Sequence, residues 1–404
     1  MTALHVIDPP VRPAGADAPA AATDHPFTEA AVAAEQALAC RLDGPPVLNI
    51  GAEMRKALGS GGRGQGAMIA DMWRLSRGPG RLTPAEYLYY RLWDQAYDRA
   101  AQAAFVGKRA QGPMHARCND FGWFAIAHDK LVFQAVLQGL GLPVPSLLAV
   151  YHPARTVGLA LQARDEDGLA TLLERDLIGP LFAKPIDGMY SLGTVAIDRL
   201  EGTPGLFRAN GHTVATGDLV RYFALRRDQG YLFQERLRVH PRLAGLIGDR
   251  LSTVRVLILV DGHGGTEAVS VVAKLPAGAQ VADNYWRADN LLAAVELETG
   301  TLVRAINGWG AALRVVETHP DTGARLAGAG LPAYDQAIAL ARQAAAAFPA
   351  IRTQSWDVAL TDKGPVLMEL NFGGDLNLHQ LAHGRGVLTA RYRDHLADCG
   401  YRIK

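Results

Sequence analysis

The chain has 404 residues, of which 49% are hydrophobic, so it is long and apolar enough to bury one large core or several smaller ones. Its 41 lysines and arginines balance 40 aspartates and glutamates, which excludes a strongly basic nucleic-acid-binding protein. The first 27 residues lack a basic segment followed by an apolar one, and no run of about 18 apolar residues occurs. We therefore predict a cytoplasmic protein that binds neither nucleic acid nor membrane, and we leave a homodimer open.

Three cysteines, Cys40, Cys118 and Cys399, are far apart in the sequence. They fit neither a CxxC motif nor a common metal-ligand spacing. Free thiols in a reducing compartment are the expectation.

The N-terminal part of the chain divides into two predicted regions. Residues 1–25 are rich in Ala, Pro and Asp without periodicity and predict a disordered extension, whereas residues 26–128 predict a mostly helical region. Within it, the glycine-rich residues 59–66 match no Walker or dinucleotide-binding spacing, so we interpret them as a flexible loop.

A capping box marks one helix of this region. Thr83, Pro84 and Glu86 offer an N-cap hydroxyl, a proline at the first helical position and the reciprocal glutamate. The pattern predicts one helix that continues through Phe105. Its aromatic residues recur every three or four positions and predict a stripe that faces the core. They are Tyr87, Tyr90, Trp93 and Tyr97.

Beyond residue 128 predicted helices alternate with β-rich apolar runs, which indicates a mixed α/β or α+β fold. Helices are predicted at residues 130–140 and 335–348. Strands are predicted at residues 144–151, 180–186, 231–237, 253–260, 268–275, 356–361 and 365–372, the last two joined by a tight turn.

Four of these segments carry residues suited to ATP chemistry. Lys130 begins a helix, and Lys184 ends a strand before a loop of small residues that includes Ser191. Glycines in such a loop let backbone N–H groups approach phosphate, and a lysine neutralises its charge. Taken singly, each lysine is more often a solvated surface charge. The order of the segments along the chain therefore carries the interpretation.

The last predicted hairpin offers oxygen ligands for a hard divalent cation. Glu369 and Asn371 are two residues apart on one strand and share a face, and the preceding strand can bring Asp357 beside them. Carboxylate and amide oxygens are the ligands that Mg²⁺ prefers. A hairpin with coincidental acids is the alternative.

Together these segments resemble the ATP-grasp superfamily. The stretches DKLVFQAVLQGLGLPVP and AKPIDGMYSLG, and the Asp357, Glu369 and Asn371 spacing, are similar to the nucleotide and metal motifs of D-alanyl-D-alanine ligase. The resemblance implies an α+β fold in which two lobes clamp ATP and Mg²⁺, a small lobe at 129–233 and a large lobe at 234–404. It implies phosphate contacts by Lys130, Lys184 and Ser191, and adenine-edge contacts by Gln234, Glu235 and Leu237.

The segments STVRVLIL, VADNYWR, VELETGTL and THPDTG resemble the sugar-transfer-associated branch of that superfamily. Two positions depart from its pattern, since Ala288 follows the DN segment and Glu296 precedes the TG turn. Ser355 stands where D-alanyl-D-alanine ligase has an arginine. We therefore predict Arg255 and Lys274 as the catalytic cations, with structural ion pairs as the alternative. Substrate contacts are predicted for Asn284, His319 and Gly374.

The resemblance implies a ligase that activates a small-molecule carboxylate as an acyl phosphate and joins it to an amine. An amino-acid-like or small-peptide substrate of a biosynthetic pathway is the expectation. A phosphotransferase built on the same nucleotide site and a degenerate ATP-binding protein are the alternatives.

Overall fold

A computed structural model describes residues 27–33, 48–188, 191–278, 282–286 and 289–403. The predicted extension at 1–25, Cys40, the loop residues Met189 and Tyr190, and Ala288 lie outside the described residues. No helix in the described ranges is long and apolar enough to cross a membrane.

Short helices fill the part of the chain before residue 129, as the sequence predicts. They are α1 (Ile50–Gly59), α2 (Gln65–Arg77), α3 (Pro84–Tyr89), α4 (Arg99–Ala103), α5 (Lys108–Cys118) and α6 (Phe124–His128). The glycine-rich segment forms the turn between α1 and α2. A Cβ atom at Gly62 would lie 2.6 Å from the Trp93 ring, so this glycine permits close packing.

The predicted capping box is confirmed, but the single helix predicted from it is wrong. Thr83 Oγ1 accepts from the Glu86 N–H at 3.2 Å, and Glu86 Oε2 accepts from the Thr83 N–H at 2.7 Å. Helix α3 nevertheless ends at Tyr89, because Arg91 adopts a left-handed φ of 57°. Asp98 then caps a separate helix, α4.

The aromatic stripe nevertheless faces the core, as predicted. Tyr87, Tyr90 and Trp93 are buried, while Tyr97 is half-buried. The break in the helix does not expose them because the irregular turn keeps all three rings in one apolar cluster.

The first of two large sheets contains seven strands in the order β2-β1-β7-β3-β4-β5-β6. Its neighbouring strands run antiparallel except for the parallel pair β1–β2. The strands are β1 (Leu147–Tyr151), β2 (Leu161–Ala163), β3 (Leu181–Pro185), β4 (Val195–Arg199), β5 (Leu206–Ala209), β6 (His212–Ala215) and β7 (Tyr231–Glu235). The helices of this part are α7 (Lys130–Gly139), α8 (Glu166–Thr171) and α9 (Thr216–Ala224), with a π-helical turn at Leu172–Asp176.

The second sheet is antiparallel throughout, in the order β12-β11-β10-β9-β8-β13-β14. The strands are β8 (Thr253–Val260), β9 (Thr266–Leu275), β10 (Leu291–Val295), β11 (Leu302–Asn307), β12 (Arg314–Val315), β13 (Thr353–Thr361) and β14 (Gly364–Phe372). The helices of this part are α10 (Pro241–Ile247), α11 (Tyr334–Ala346), α12 (Leu376–His383) and α13 (Ala390–Asp398).

Strands β8 and β13 are buried along their whole length, because helices cover both faces of the second sheet. Val254 and Val256 belong to the core cluster that contains residues of α11. Leu257 and Leu259 belong to a second cluster, formed with α5 and α13. Two-sided burial explains why residues 256–260 of β8 form an uninterrupted apolar run in the sequence.

The predicted α+β fold class is therefore confirmed, as are all seven predicted strands. The sequence did not predict strands β2, β4, β5, β6, β10, β11 and β12. Strand β7 spans the predicted limit between lobes at residue 234, and the domain limits stay predictions.

Candidate active site

A cavity of about 900 Å³ lies between the two sheets. Residues from β3, the loop after it, β7, β9, β13 and β14 line its walls. The predicted site residues among them are Lys130, Lys184, Ser191, Gln234, Glu235, Leu237, Lys274, Asp357 and Glu369. The remaining predicted residues, Arg255, Asn371, Asn284, His319 and Gly374, lie outside the lining.

Lys130 is held at the start of α7 by the cap of that helix. Asp129 Oδ1 accepts from the N–H groups of Leu131 at 2.9 Å and Val132 at 3.0 Å. The Lys130 backbone donates to the Ile186 carbonyl at 3.1 Å, and its ammonium donates to the Gly188 carbonyl. The lysine therefore joins the helix to the loop after β3.

Lys184 is buried near the end of β3. Burial, and after it the charge of Lys130, lower the pKa of its ammonium to about 8, whereas Glu369 acts in the opposite direction. Lys184 is buried and the neighbouring Lys130 is half-buried, so an anion would stabilise their positive charge. This end of the cavity is therefore suited to phosphate.

The strand predicted to border adenine carries two of the predicted side chains, Gln234 and Glu235. Gln234 is buried, and its Nε2 donates to Gln134 Oε1 at 2.8 Å. Glu235 Oε1 accepts from the hydroxyl of Ser146 at 2.8 Å and from its backbone N–H at 3.1 Å. These bonds fix the end of β7 beside the cavity, where Leu237 follows.

A β-bulge brings an apolar side chain and a carboxylate to the same wall. Asp357 pairs with Glu369 and Val358 pairs with Leu367, which leaves Met368 as the additional residue. Met368 and Glu369 consequently both line the cavity although they are consecutive. Phe182 contributes apolar surface from the first sheet. The sequence alone did not indicate Met368 or Phe182 as site residues.

Asp357 forms the centre of a buried ionic cluster. Arg255 Nε lies 2.6 Å from its Oδ1, while Arg255 Nη2 and Lys274 Nζ each lie 2.8 Å from its Oδ2. Burial would raise the pKa of Asp357, but the two cations outweigh it and hold that pKa well below its usual range. Arg255 and Lys274 thus form structural ion pairs, which was the alternative to a catalytic role in the sequence analysis.

Two further carboxylates complete the cluster. Lys274 Nζ lies 3.4 Å from Asp283 Oδ1, and Arg255 Nη1 donates to Asp375. The Asp283 carboxylate also accepts from the backbone and hydroxyl of Thr253, at 2.9 and 2.5 Å. Sequence reasoning missed both acids, although Asp283 belongs to the DN segment and Asp375 follows two glycines. Two cations with three carboxylates leave excess negative charge beside Glu369.

The donor set around this negative charge fits a divalent cation. Glu369 lies directly opposite Asp357 in the antiparallel hairpin, so their side chains share a face. Asn371 shares that face two residues further along, and its buried Nδ2 has no hydrogen-bonding partner among the described residues. The amide can thus turn its oxygen toward a cation without breaking a bond at its nitrogen. Carboxylate and amide oxygens are suitable ligands for Mg²⁺.

The predicted substrate residues stabilise loops near the ionic cluster. Asn284 Oδ1 accepts from the Trp286 N–H at 2.9 Å, and the His319 ring is buried with Nε2 at 3.0 Å from the Pro276 carbonyl. Gly374 has a φ of 93°, and its carbonyl accepts from the Ser355 hydroxyl at 2.7 Å. Ser355 thus supports the turn that leads into Asp375.

A family model described as sugar-transfer associated ATP-grasp matches residues 113–393. The fold is that of the ATP-grasp proteins, and the chain belongs to the sugar-transfer associated ATP-grasp family. No curated protein is similar enough in sequence to count as a match.

Solved structures with a similar fold include an L-amino acid ligase from Bacillus licheniformis. It is 14% identical, with a TM-score of 0.38 over 73% of this chain and 55% of the ligase. The match thus spans about half the length of that protein. D-alanine–D-alanine ligase from Bacillus anthracis is 13% identical, with a TM-score of 0.36 over 74% of this chain and 77% of the ligase. N5-carboxyaminoimidazole ribonucleotide synthetase, in an ADP complex, is 12% identical, with a TM-score of 0.37 over 74% of this chain and 59% of the synthetase.

Proposed function

We propose that the protein is an ATP- and magnesium-dependent ligase that joins a small-molecule carboxylate to an amine through an acyl phosphate. One observation carries the proposal. Lys130 and Lys184 from one side of the molecule and Asp357 and Glu369 from the other line a single cavity between two sheets. That combination can bind the anionic and metal-binding parts of a nucleotide together.

In this proposal the nucleotide lies along the cavity with its phosphates at the lysines. Lys130 and Lys184 neutralise phosphate charge, and Ser191 belongs to the loop that covers it. The apolar side chains of Phe182 and Met368 suit the faces of an adenine ring. Gln234, Glu235 and Leu237 border its edge, where backbone groups provide the hydrogen bonds.

Mg²⁺ would be held by Glu369, Asp357 and Asn371. When bound, the ion neutralises phosphate charge and orients the phosphate oxygens. Both oxygens of Asp357 are already paired with Arg255 and Lys274. Asp357 would therefore bind the ion more weakly than Glu369. The hairpin fixes the register of these ligands, which limits the reorganisation on binding.

The two steps of the reaction need positioning and charge more than covalent catalysis. A carboxylate oxygen bonds to the γ-phosphorus while the bond to ADP breaks. The amine nitrogen then bonds to the carbonyl carbon, inorganic phosphate leaves with the C–O bond electrons, and the amine releases a proton. We assign the catalytic role to Lys274 in the cavity wall and to Arg255 behind it, because both cations hold the Asp357 carboxylate in position beside these atoms.

Asn284, His319 and Gly374 take part indirectly in the proposed reaction. Asn284 follows Asp283, Gly374 precedes Asp375, and His319 holds Pro276 just beyond Lys274. We therefore assign them the positioning of the ionic cluster on the substrate side. Amino-acid-like or small-peptide acids and amines are the substrates that we expect, in a biosynthetic role.

The proposal is tested by measuring ADP release in a coupled assay with amino acids and dipeptides offered in pairs. ADP formation should require Mg²⁺ and rise only when both an acid and an amine are present. Glu369→Gln should abolish it, whereas Glu201→Gln, at an exposed turn, should not. ADP release that needs an alcohol acceptor and yields a lasting phosphate ester would instead indicate a phosphotransferase. Absence of nucleotide binding would indicate a degenerate protein.

A further inference from the structure

A second group of metal-ligating side chains lies in a different part of the molecule from the cavity. It consists of Cys118 at the end of α5 together with His395 and Cys399 at the end of α13. One potential ligand atom from each residue lies within 4.8 Å of the other two. The cysteines are far apart in the sequence, which is why spacing alone gave no sign of this cluster.

The geometry of this Cys-His-Cys cluster matches a tetrahedral site. Tetrahedral Zn²⁺ with ordinary bond lengths needs about 3.6 Å between a sulfur and a nitrogen ligand. The separation between Cys399 Sγ and His395 Nε2 is 3.7 Å. These two residues are four apart at the end of one helix, so they project from the same face. Cys118 approaches from a separate helix and would complete the three-residue side of the site.

The surroundings also suit a metal bound by thiolates. Cys118 and His395 are buried, whereas Cys399 is half-buried and leaves room for a water ligand. Thr353 and Cys118 lie near the buried hydroxyl of Tyr392. The Tyr392 ring lies 6.0 Å from that of His395, and the residue shares a core cluster with Cys118. A Cys118 thiolate could accept a hydrogen bond from this hydroxyl.

Two contacts compete with a metal at this place, and the first, a hydrogen bond between the Cys118 and Cys399 thiols, is lost when both thiols ionise. The Thr353 hydroxyl lies 3.0 Å from His395 Nε2, the nitrogen that also approaches Cys399. Rotation of the hydroxyl about the Cα–Cβ bond frees that nitrogen. Zinc binding thus exchanges one neutral hydrogen bond for a metal–nitrogen bond.

We propose that Cys118, His395 and Cys399 bind one Zn²⁺, with water as the fourth ligand. Binding releases the protons of the two thiols, because only thiolates ligate the metal. The ion would fasten α13 to α5, whose last residue, Cys118, accepts from the backbone N–H of Arg352 at 3.0 Å, next to the start of β13. Since β13 also carries Asp357, the site would secure one end of the hairpin that holds the candidate magnesium ligands.

The test is the metal content of the full-length protein after purification without chelator. We expect about one zinc ion per chain, and near-complete loss of zinc in Cys118→Ser and Cys399→Ser. Cys40→Ser removes the remaining cysteine of the chain and is the matched control, which should retain zinc. Thr353→Val removes the competing hydroxyl and should bind zinc at least as tightly.

Cobalt substitution gives a readout that does not depend on activity or folding yield. Co²⁺ at this site should show a thiolate-to-metal charge-transfer band that Cys399→Ser weakens and Cys40→Ser leaves unchanged. Zinc at substoichiometric levels in the wild type, or a cobalt spectrum without that band, would overturn the proposal. A Cys118–Cys399 disulfide as the main species under reducing purification would also overturn it.

Discussion

Asp357 lies directly opposite Glu369 in the β13–β14 hairpin, yet the two carboxylates have different surroundings. Both oxygens of Asp357 are bound by Arg255 and Lys274, whereas Glu369 lines the cavity and is only partly buried. The two carboxylates therefore have different main roles, one structural and one functional. One carboxylate keeps two buried cations neutralised, and the other is open to a ligand.

This difference predicts unequal effects on stability when each charge is removed. Asp357→Asn should lower the free energy of unfolding by about 3–5 kcal/mol, because it leaves two buried cations without their shared partner. Glu369→Gln should change it by less than about 0.5 kcal/mol, because its carboxylate is not part of the buried pairs. Urea unfolding of both variants measures this contrast. Equal destabilisation by the two substitutions would contradict it.

The lowered pKa of Lys184 predicts that ATP affinity depends on pH. The free protein loses the Lys184 proton above about pH 8, and phosphate binding favours the protonated form. Affinity for ATP should therefore fall as the pH rises above 8, by up to about tenfold per unit. Titration calorimetry at several pH values measures the decline. Lys184→Arg keeps the charge and should flatten the profile, so an equally steep decline in that variant would exclude Lys184 as its source.

The same pKa has a consequence for stability with the opposite sign. The unfolded chain keeps this proton up to its usual pKa of 10.5, whereas the folded chain loses it at about 8. Between these values the unfolded state binds more protons, so this group makes the free energy of unfolding rise with pH. Lys184→Met should remove that rise in denaturant titrations at pH 8 and 10. An unchanged slope would assign the rise to other groups.

Replacement of Lys130 should weaken nucleotide binding and have little effect on the stability of the fold. Among the described residues its ammonium bonds only to the Gly188 carbonyl of the phosphate loop. Lys130→Met should therefore weaken ATP binding by about tenfold or more and leave the melting temperature nearly unchanged. Lys56→Met, at an exposed position on α1, is the control for a change of net charge. A similar loss in both variants would point to general electrostatics.

The capping box predicts a stability effect away from the site. Thr83→Ala removes the acceptor of the Glu86 N–H and should cost about 1 kcal/mol of the free energy of unfolding. Thr83→Ser keeps the oxygen and should cost less. Thermal unfolding compares the two, and equal losses would show that the methyl group matters more than the cap.

The sequence predicted those features that depend on local chemistry. The cap at Thr83, the strand that contains Lys184 and the hairpin with Asp357 and Glu369 follow from residues close together in the chain. The helix beyond Tyr89 was predicted wrongly, because the spacing of apolar residues does not reveal that the backbone of Arg91 is left-handed.

The other missed features depend on tertiary contacts. Met368 enters the cavity only through the bulge opposite the boundary between Asp357 and Val358. Asp375 reaches Arg255, and Cys118 approaches Cys399, only after distant segments pack together. Strands β4 to β6 were missed because they are short and alternate with polar turns, which gives a weak periodic signal.

The most direct test of the proposed acyl-phosphate chemistry follows ¹⁸O from the carboxylate of the acid substrate. Each turnover should transfer one ¹⁸O atom into inorganic phosphate, and the amide product should retain one fewer label than the starting acid. Mass spectrometry of both products measures the transfer. Label that stays entirely in the organic product, together with unlabelled phosphate or a lasting phosphate ester, would contradict activation of a carboxylate by this protein.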